Sequence, residues 1–74
     1  MQVTVKLFAE FRRGRFISRT GDYPPNTSVA RVLEELELPE KEVGIALVNG
    51  RHADTDGTLK DGDTLSLFPL IGGG

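Results

Sequence analysis

Seventy-four residues, a net charge of −2 and no cysteine bound what this chain can be. The length suits one domain in which only about 60% of the unfolded surface is buried, so every apolar face is needed for the core and a deep single-chain catalytic pocket is excluded. The lack of cysteine excludes a disulfide framework, a zinc–thiolate site and a thiol nucleophile. No apolar run approaches the ~20 residues of a membrane span, and the N-terminus lacks a signal pattern, so a cytoplasmic protein is expected. The acidic balance, with a pI near 5.2, argues against nucleic acid as the main partner.

Residues 2–8 alternate, with Val3, Val5 and Leu7 on one face and Thr4 and Lys6 on the other. This is the period of a half-buried strand, and it puts Phe8 on the polar face. The run from Ala9 to Gly14 breaks the alternation. Phe16 to Thr20 is a second strand candidate that could extend to Tyr23 before Pro24-Pro25 punctuates the chain. Arg12, Arg13, Arg15 and Arg19 cluster in this region. A solvated hairpin accounts for them, and a contact patch for an acidic partner is the rival reading.

Val29, Val32, Leu33 and Leu36 fall at i, i+3, i+4 and i+7, one apolar stripe of a helix. Ser28 is the favoured N-cap among Asn26, Thr27 and Ser28. Pro39 is expected to end the helix by biasing Leu38 away from helical geometry. Glu34, Glu35 and Glu37 line its solvated face.

Ile45 to Val48 is a short apolar strand that stops at Asn49-Gly50, a tight-hairpin signal, with Arg51 to Ala53 as a brief return. His52, the single histidine, has no second histidine or cysteine to share a metal and is expected in a surface or turn role. Asp54-Thr55-Asp56-Gly57 resembles part of a calcium loop but lacks the remaining ligands, so no metal is expected. Asp61-Gly62-Asp63 is a further turn. Leu65 and Leu67 alternate with Thr64 and Ser66 in a last strand ending at Phe68-Pro69. That alternation takes Phe68 off the main core face, which favours an interface role for it over a place in the core. The order is strand, strand, helix, strand, short strand, strand: an α+β chain with a mixed sheet of four to five strands packed on one helix.

The chain ends Leu70-Ile71-Gly72-Gly73-Gly74. These residues carry no side-chain acid, base or nucleophile, so the reactive group is the carboxylate of Gly74. It is ionised at neutral pH and can acquire acyl chemistry only if something else activates it; a frayed, inert end is the rival reading. Glycines without Cβ suit a narrow cleft, and about five residue steps from Pro69 reach roughly 17 Å when extended. The division expected is a domain over residues 1–69 and a tail over residues 70–74.

The pattern resembles the β-grasp, ubiquitin-like fold, and more closely the MoaD/ThiS family of sulfur carriers. The residues that carry the resemblance are Leu7-Phe8-Ala9 with Arg12 and Gly14, Val48-Asn49-Gly50, Leu59 with Asp61-Gly62-Asp63, and Phe68-Pro69 through Gly73-Gly74. The resemblance implies a carrier rather than an enzyme. An E1-like adenylating enzyme would use ATP to activate Gly74, a sulfur donor would convert it to a thiocarboxylate, and a synthase such as the molybdopterin synthase large subunit would consume the sulfur. The carrier itself would bind no cofactor. Phe68, Pro69, Leu70, Ile71, Gly72 and Gly73 would be the partner-binding residues. Leu70-Ile71 and Gly72 depart from the family's usual proline-aliphatic and alanine. Molybdopterin (or tungsten pterin) biosynthesis is the favoured pathway. A thiamin thiazole carrier and a ubiquitin-like modifier conjugated through Gly74 are the alternatives.

Overall fold

Five strands form one mixed sheet: β1 (Gln2–Leu7), β2 (Ser18–Asp22), β3 (Val43–Val48), β4 (Arg51–His52) and β5 (Thr64–Pro69), in the spatial order β2-β1-β5-β3-β4. The structure is a computed structural model, and it describes residues 1–71. One α-helix, α1 (Val29–Glu35), packs on one face, and short 3-10 helices occupy Ala9–Arg12 and Glu40–Glu42. β1 and β5 pair in parallel at the centre; β1–β2, β3–β5 and β3–β4 are antiparallel. This is the mixed sheet on one helix that the element order predicts, in the β-grasp arrangement that the family resemblance implies.

The alternation in β1 and β5 does what its period requires. Val3, Val5, Leu7, Leu65 and Leu67 all point to the helix side and are at most 1% exposed. Val29, Val32 and Leu33 of α1 and its C-cap Leu36 meet them, and Phe11, Tyr23, Leu38, Ala46 and Leu59 complete the same core. Edge strand β2 is mostly exposed and carries Arg19 and Asp22; charge on an edge discourages pairing with other chains. β2 begins at Ser18 rather than Phe16, because its register against β1 aligns Asp22 with Gln2 and Ser18 with Lys6.

The ends of α1 show how local chemistry terminates a short helix. Ser28 is the N-cap, its Oγ accepting from Arg31 N–H at 3.1 Å. The N–H groups of Val29 and Ala30 donate to the carbonyls of Gly57 and Thr55 at 3.0 and 2.7 Å. The Asp54–Gly57 turn thus satisfies helix donors that would otherwise be orphaned. At the other end Pro39 is not the terminator. Glu37 takes a left-handed conformation, φ 56°. Glu37 N–H donates to Glu34 and Leu38 N–H to Leu33, at 3.1 and 2.9 Å. This is a Schellman closure two residues before the proline, and it turns Leu38 back into the core beside Leu33.

Two motifs behind the family resemblance serve the fold. Asn49 and Gly50 have φ of 53° and 82°, as a tight two-residue hairpin needs. The Asn49 side chain accepts from Thr64 N–H at 2.9 Å and donates to Asp63 Oδ1 at 2.8 Å. Asp63 Oδ2 accepts from Lys60 N–H at 2.8 Å, and Asp61 Oδ1 accepts from Gln2 N–H at 2.7 Å. Together they tie the β3–β4 hairpin and the start of β1 to the entry of β5.

Candidate functional site

The candidate site lies where β5 leaves the sheet. Leu65 and Leu67 anchor this strand in the core, between β1 and β3. Successive residues alternate faces, so Phe68 points away from the helix. It stacks on Phe8 of the neighbouring strand's end with ring centroids 4.2 Å apart and an interplanar angle of 13°. Ile45, the β3 partner of Phe68, shares that face and is 42% exposed. The two rings are only partly buried, so they form an apolar platform on the open side of the sheet.

Arg12 frames the platform. Its guanidinium carbon stands 5.4 Å from the Phe8 ring centroid, and its Nε donates to the Leu7 carbonyl at 2.7 Å. The Ala9–Arg12 helix that carries it buries Phe11 beneath. The arginine cluster does not act as one free patch. Arg15 donates to the carbonyls of Leu36 and Phe11 at 3.2 and 3.3 Å. Arg19 covers the Phe16 ring at 4.4 Å and reaches Glu35 at 3.5 Å. All four arginines are exposed, as a solvated connection has them, and three of them also tie the β1–β2 connection to its surroundings.

Pro69 ends β5 opposite Val43, and Leu70 N–H donates to the Glu42 carbonyl at 2.8 Å. Beyond that bond the side chains face solvent, with Leu70 60% and Ile71 84% exposed. Phe68, Pro69, Leu70 and Ile71 are thus consecutive along one exit path. Gly72, Gly73 and Gly74 lie outside the described residues. Nothing from Phe68 to Ile71 can act as an acid, base or nucleophile. Among the described residues no group of three or more His, Cys, Asp or Glu is placed to hold a metal ion, and no helix is long and apolar enough to cross a membrane.

Sequence reasoning placed Phe68 off the core face but did not find its partner. Phe8 also broke onto the polar face of its strand, and two aromatics on the outer face of two strands were the available signal. Tyr23 was missed as well: it is buried and its hydroxyl donates to Glu35 at 2.9 Å. Burial, then the hydrogen bond and charge of Glu35, raise its pKa above the usual value of 10.0.

The ThiS family model matches residues 5–74. Among solved structures, the chain is similar to a Pyrococcus furiosus protein described as molybdopterin converting factor, subunit 1, with 31% identity and a TM-score of 0.76 over 96% of this chain and 99% of that one. It is similar in fold to the H. volcanii small archaeal modifier protein 1, with 24% identity and a TM-score of 0.75 over 95% and 98% of the two chains. A third likeness in fold is to the complex of subunits 1 and 2 of molybdopterin-converting factor from Helicobacter pylori 26695, with 24% identity and a TM-score of 0.68 over 100% of both chains. No curated protein sequence matches the chain. With the family model spanning nearly all of the sequence and the β-grasp architecture in place, the chain belongs to the ThiS family of small ubiquitin-like carrier subunits, whose catalysis resides in their partners.

Proposed function

We propose that this chain is a sulfur carrier whose Gly74 carboxylate is adenylated and then converted to a thiocarboxylate that supplies sulfur in molybdopterin biosynthesis. The observation that carries this reading is the exit of β5. A strand buried at the sheet centre delivers a segment without reactive side chains past an apolar platform, Phe8 and Phe68, into solvent. The domain supplies recognition, and the segment supplies an unhindered carbonyl.

In the proposed sequence, a Gly74 carboxylate oxygen attacks the α-phosphorus of ATP held by an E1-like enzyme, and pyrophosphate leaves. The acyl adenylate now has the leaving group that the carboxylate lacked. A sulfide equivalent from a sulfur donor attacks the carbonyl carbon and AMP departs, leaving the thiocarboxylate. A synthase large subunit then takes the sulfur, and the carboxylate returns. Phe68 and its stacked partner anchor the carrier on these enzymes, since a partly exposed aromatic beside the reacting segment is the residue type that dominates interface energies. Pro69, Leu70, Ile71, Gly72 and Gly73 line the path to the active site.

Membership of the ThiS family supports a thiamin thiazole carrier as a second destination for the same thiocarboxylate. The likeness in fold to a small modifier supports conjugation through Gly74 as a third. Intact mass spectrometry of the protein from its native host distinguishes carrier from modifier: the carrier shows an oxygen-to-sulfur mass increment, the modifier shows lysine conjugates. The adenylation step has a sharper test. One alanine added after Gly74 moves the carboxylate by about 3.3–3.6 Å, out of a site that requires reacting atoms within roughly 3–3.5 Å. The extended chain is expected to fold and to support no ATP–pyrophosphate exchange with its E1-like enzyme; exchange equal to wild type would refute the terminal-carboxylate mechanism.

A further inference from the structure

The end of β5 lies against a glycine on a different strand. Val43 pairs with Pro69 and Ile45 with Phe68, so β3 uses two residue steps where β5 uses one. Gly44 is the extra residue, the mark of a β-bulge. The bulge switches the facing of β3: Ala46 points into the core as alternation requires, yet Val43, three residues earlier, also packs against it. Strict alternation would have put Gly44 there and turned Val43 to solvent.

At the bulge the two backbones meet. A Cβ on Gly44 would stand 2.9 Å from both the Leu70 Cα and the Pro69 carbonyl oxygen, and 3.2 Å from Leu70 N. Those are backbone atoms, which cannot swing aside as the end of a long side chain does. Gly44 has no left-handed φ, unlike Gly50 and Gly62. Its lack of a side chain therefore serves space rather than backbone conformation. The close approach brings Leu70 N–H onto the Glu42 carbonyl, and Glu42 is itself held by its N–H to the Pro39 carbonyl at 2.9 Å.

We propose that Gly44 is a positioning residue for the carrier's reacting end. The space it leaves lets β3 and β5 close at residue 70, and the Leu70–Glu42 bond fixes where and in which direction the chain leaves the sheet at Leu70 and Ile71. This rests on the reading of Gly74 as the adenylated residue. Four residue steps separate Leu70 from Gly74, a reach of roughly 13–14 Å when extended. A root that swings would spread the carboxylate over a region of that size, and the partner enzyme would have to re-order it at each encounter. A fixed root presents it along one line, leaving less freedom to be lost before the near-attack geometry is reached.

The test uses Gly44→Ala in the full chain, with amide hydrogen exchange and ATP–pyrophosphate exchange by the cognate E1-like enzyme as readouts. In wild type the Leu70 amide should be protected and the Ile71 amide should not. In Gly44→Ala the Leu65 and Leu67 amides should stay protected, while Leu70 loses its protection. With the platform intact, KM for the carrier should change little. Misaiming by about 1 Å should lower kcat by roughly 10- to 100-fold. Wild-type-like kcat in a folded Gly44→Ala chain would overturn the positioning role and leave the adenylation mechanism standing. Absence of exchange with wild type would instead overturn the mechanism, and the positioning role with it. Should the variant fail to fold, the wild-type measurement still decides: a Leu70 amide exchanging as freely as Ile71 would show that the root is not fixed.

Discussion

On the helix side of the sheet Val3, Val5, Leu7, Leu65 and Leu67 are at most 1% exposed; on the opposite side Phe8 and Phe68 stack half-buried and Ile45 is 42% exposed. The same strands supply both faces, one residue apart. On the inner face apolar side chains are covered by α1, and their burial drives folding at about 25 cal/mol per Å². On the outer face the aromatic pair stabilises itself by about 0.5–1.5 kcal/mol beyond its buried area and leaves apolar surface that another protein can cover. One face is therefore committed to stability, while the other can be spent on recognition without unfolding the chain.

The comparison is broken most severely by a charge on the inner face. Leu33, 2% exposed in the middle of the α1 stripe, becomes a buried, unpaired carboxylate in Leu33→Asp. A chain of this length has only about 4–11 kcal/mol of stability to lose. The variant is expected to lack a cooperative thermal transition, and a melt near the wild-type midpoint would show that α1 does not bury this face.

A paired measurement sharpens the contrast between neighbours on one strand. Leu67→Ala should cost about 2–5 kcal/mol, because it empties a fully buried site. Phe68→Ala should cost only about 1 kcal/mol, chiefly the lost stack with Phe8. It should nevertheless weaken binding to the activating enzyme by about 10-fold or more, as loss of an aromatic anchor does. Urea unfolding gives the first pair of values and calorimetric titration the last. Equal stability losses would place the outer face in the core; unchanged binding would remove the platform from recognition.

The smallest effect probes the seam between β2 and α1. The Tyr23 pKa is raised by burial and then by the hydrogen bond and charge of Glu35. A raised folded pKa means that the native state holds this proton more tightly than the unfolded chain does. The resulting stability is complete below the unfolded value near 10 and is lost as pH climbs through the folded one. Tyr23→Phe removes one hydrogen bond, at a cost of about 0.5–1.5 kcal/mol at neutral pH. Its stability should fall less steeply than wild type above pH ~10. Parallel curves for the two proteins would mean that Tyr23 titrates as it does in the unfolded chain.

Several parts of the site were legible before the fold. The period of residues 64–68 put Leu65 and Leu67 on one face and Phe68 on the other, as the structure has them. Arg12 was visible as a cluster member, but its bond to the Leu7 carbonyl and its place beside Phe8 were not. Local composition states that a residue is charged and near a turn; it does not state which carbonyl will lie within reach once the strands pair. The Gly44 bulge was hidden for the same reason, since a lone glycine in an apolar run gains meaning only from the strand opposite.

By itself the sequence determined what neighbours along the chain can decide: the period-two strands, the α1 stripe, the Ser28 cap and the Asn49-Gly50 turn. These follow from steric and hydrogen-bonding preferences spanning a few residues. The tertiary structure alone decided which strands lie side by side and in what register. From that came the burial of Phe11, Tyr23, Leu38 and Leu59. It also brought Phe8 onto Phe68 and Gly44 against Leu70. Those contacts join residues many positions apart, and their energy depends on how well whole faces fit, which no window of sequence contains.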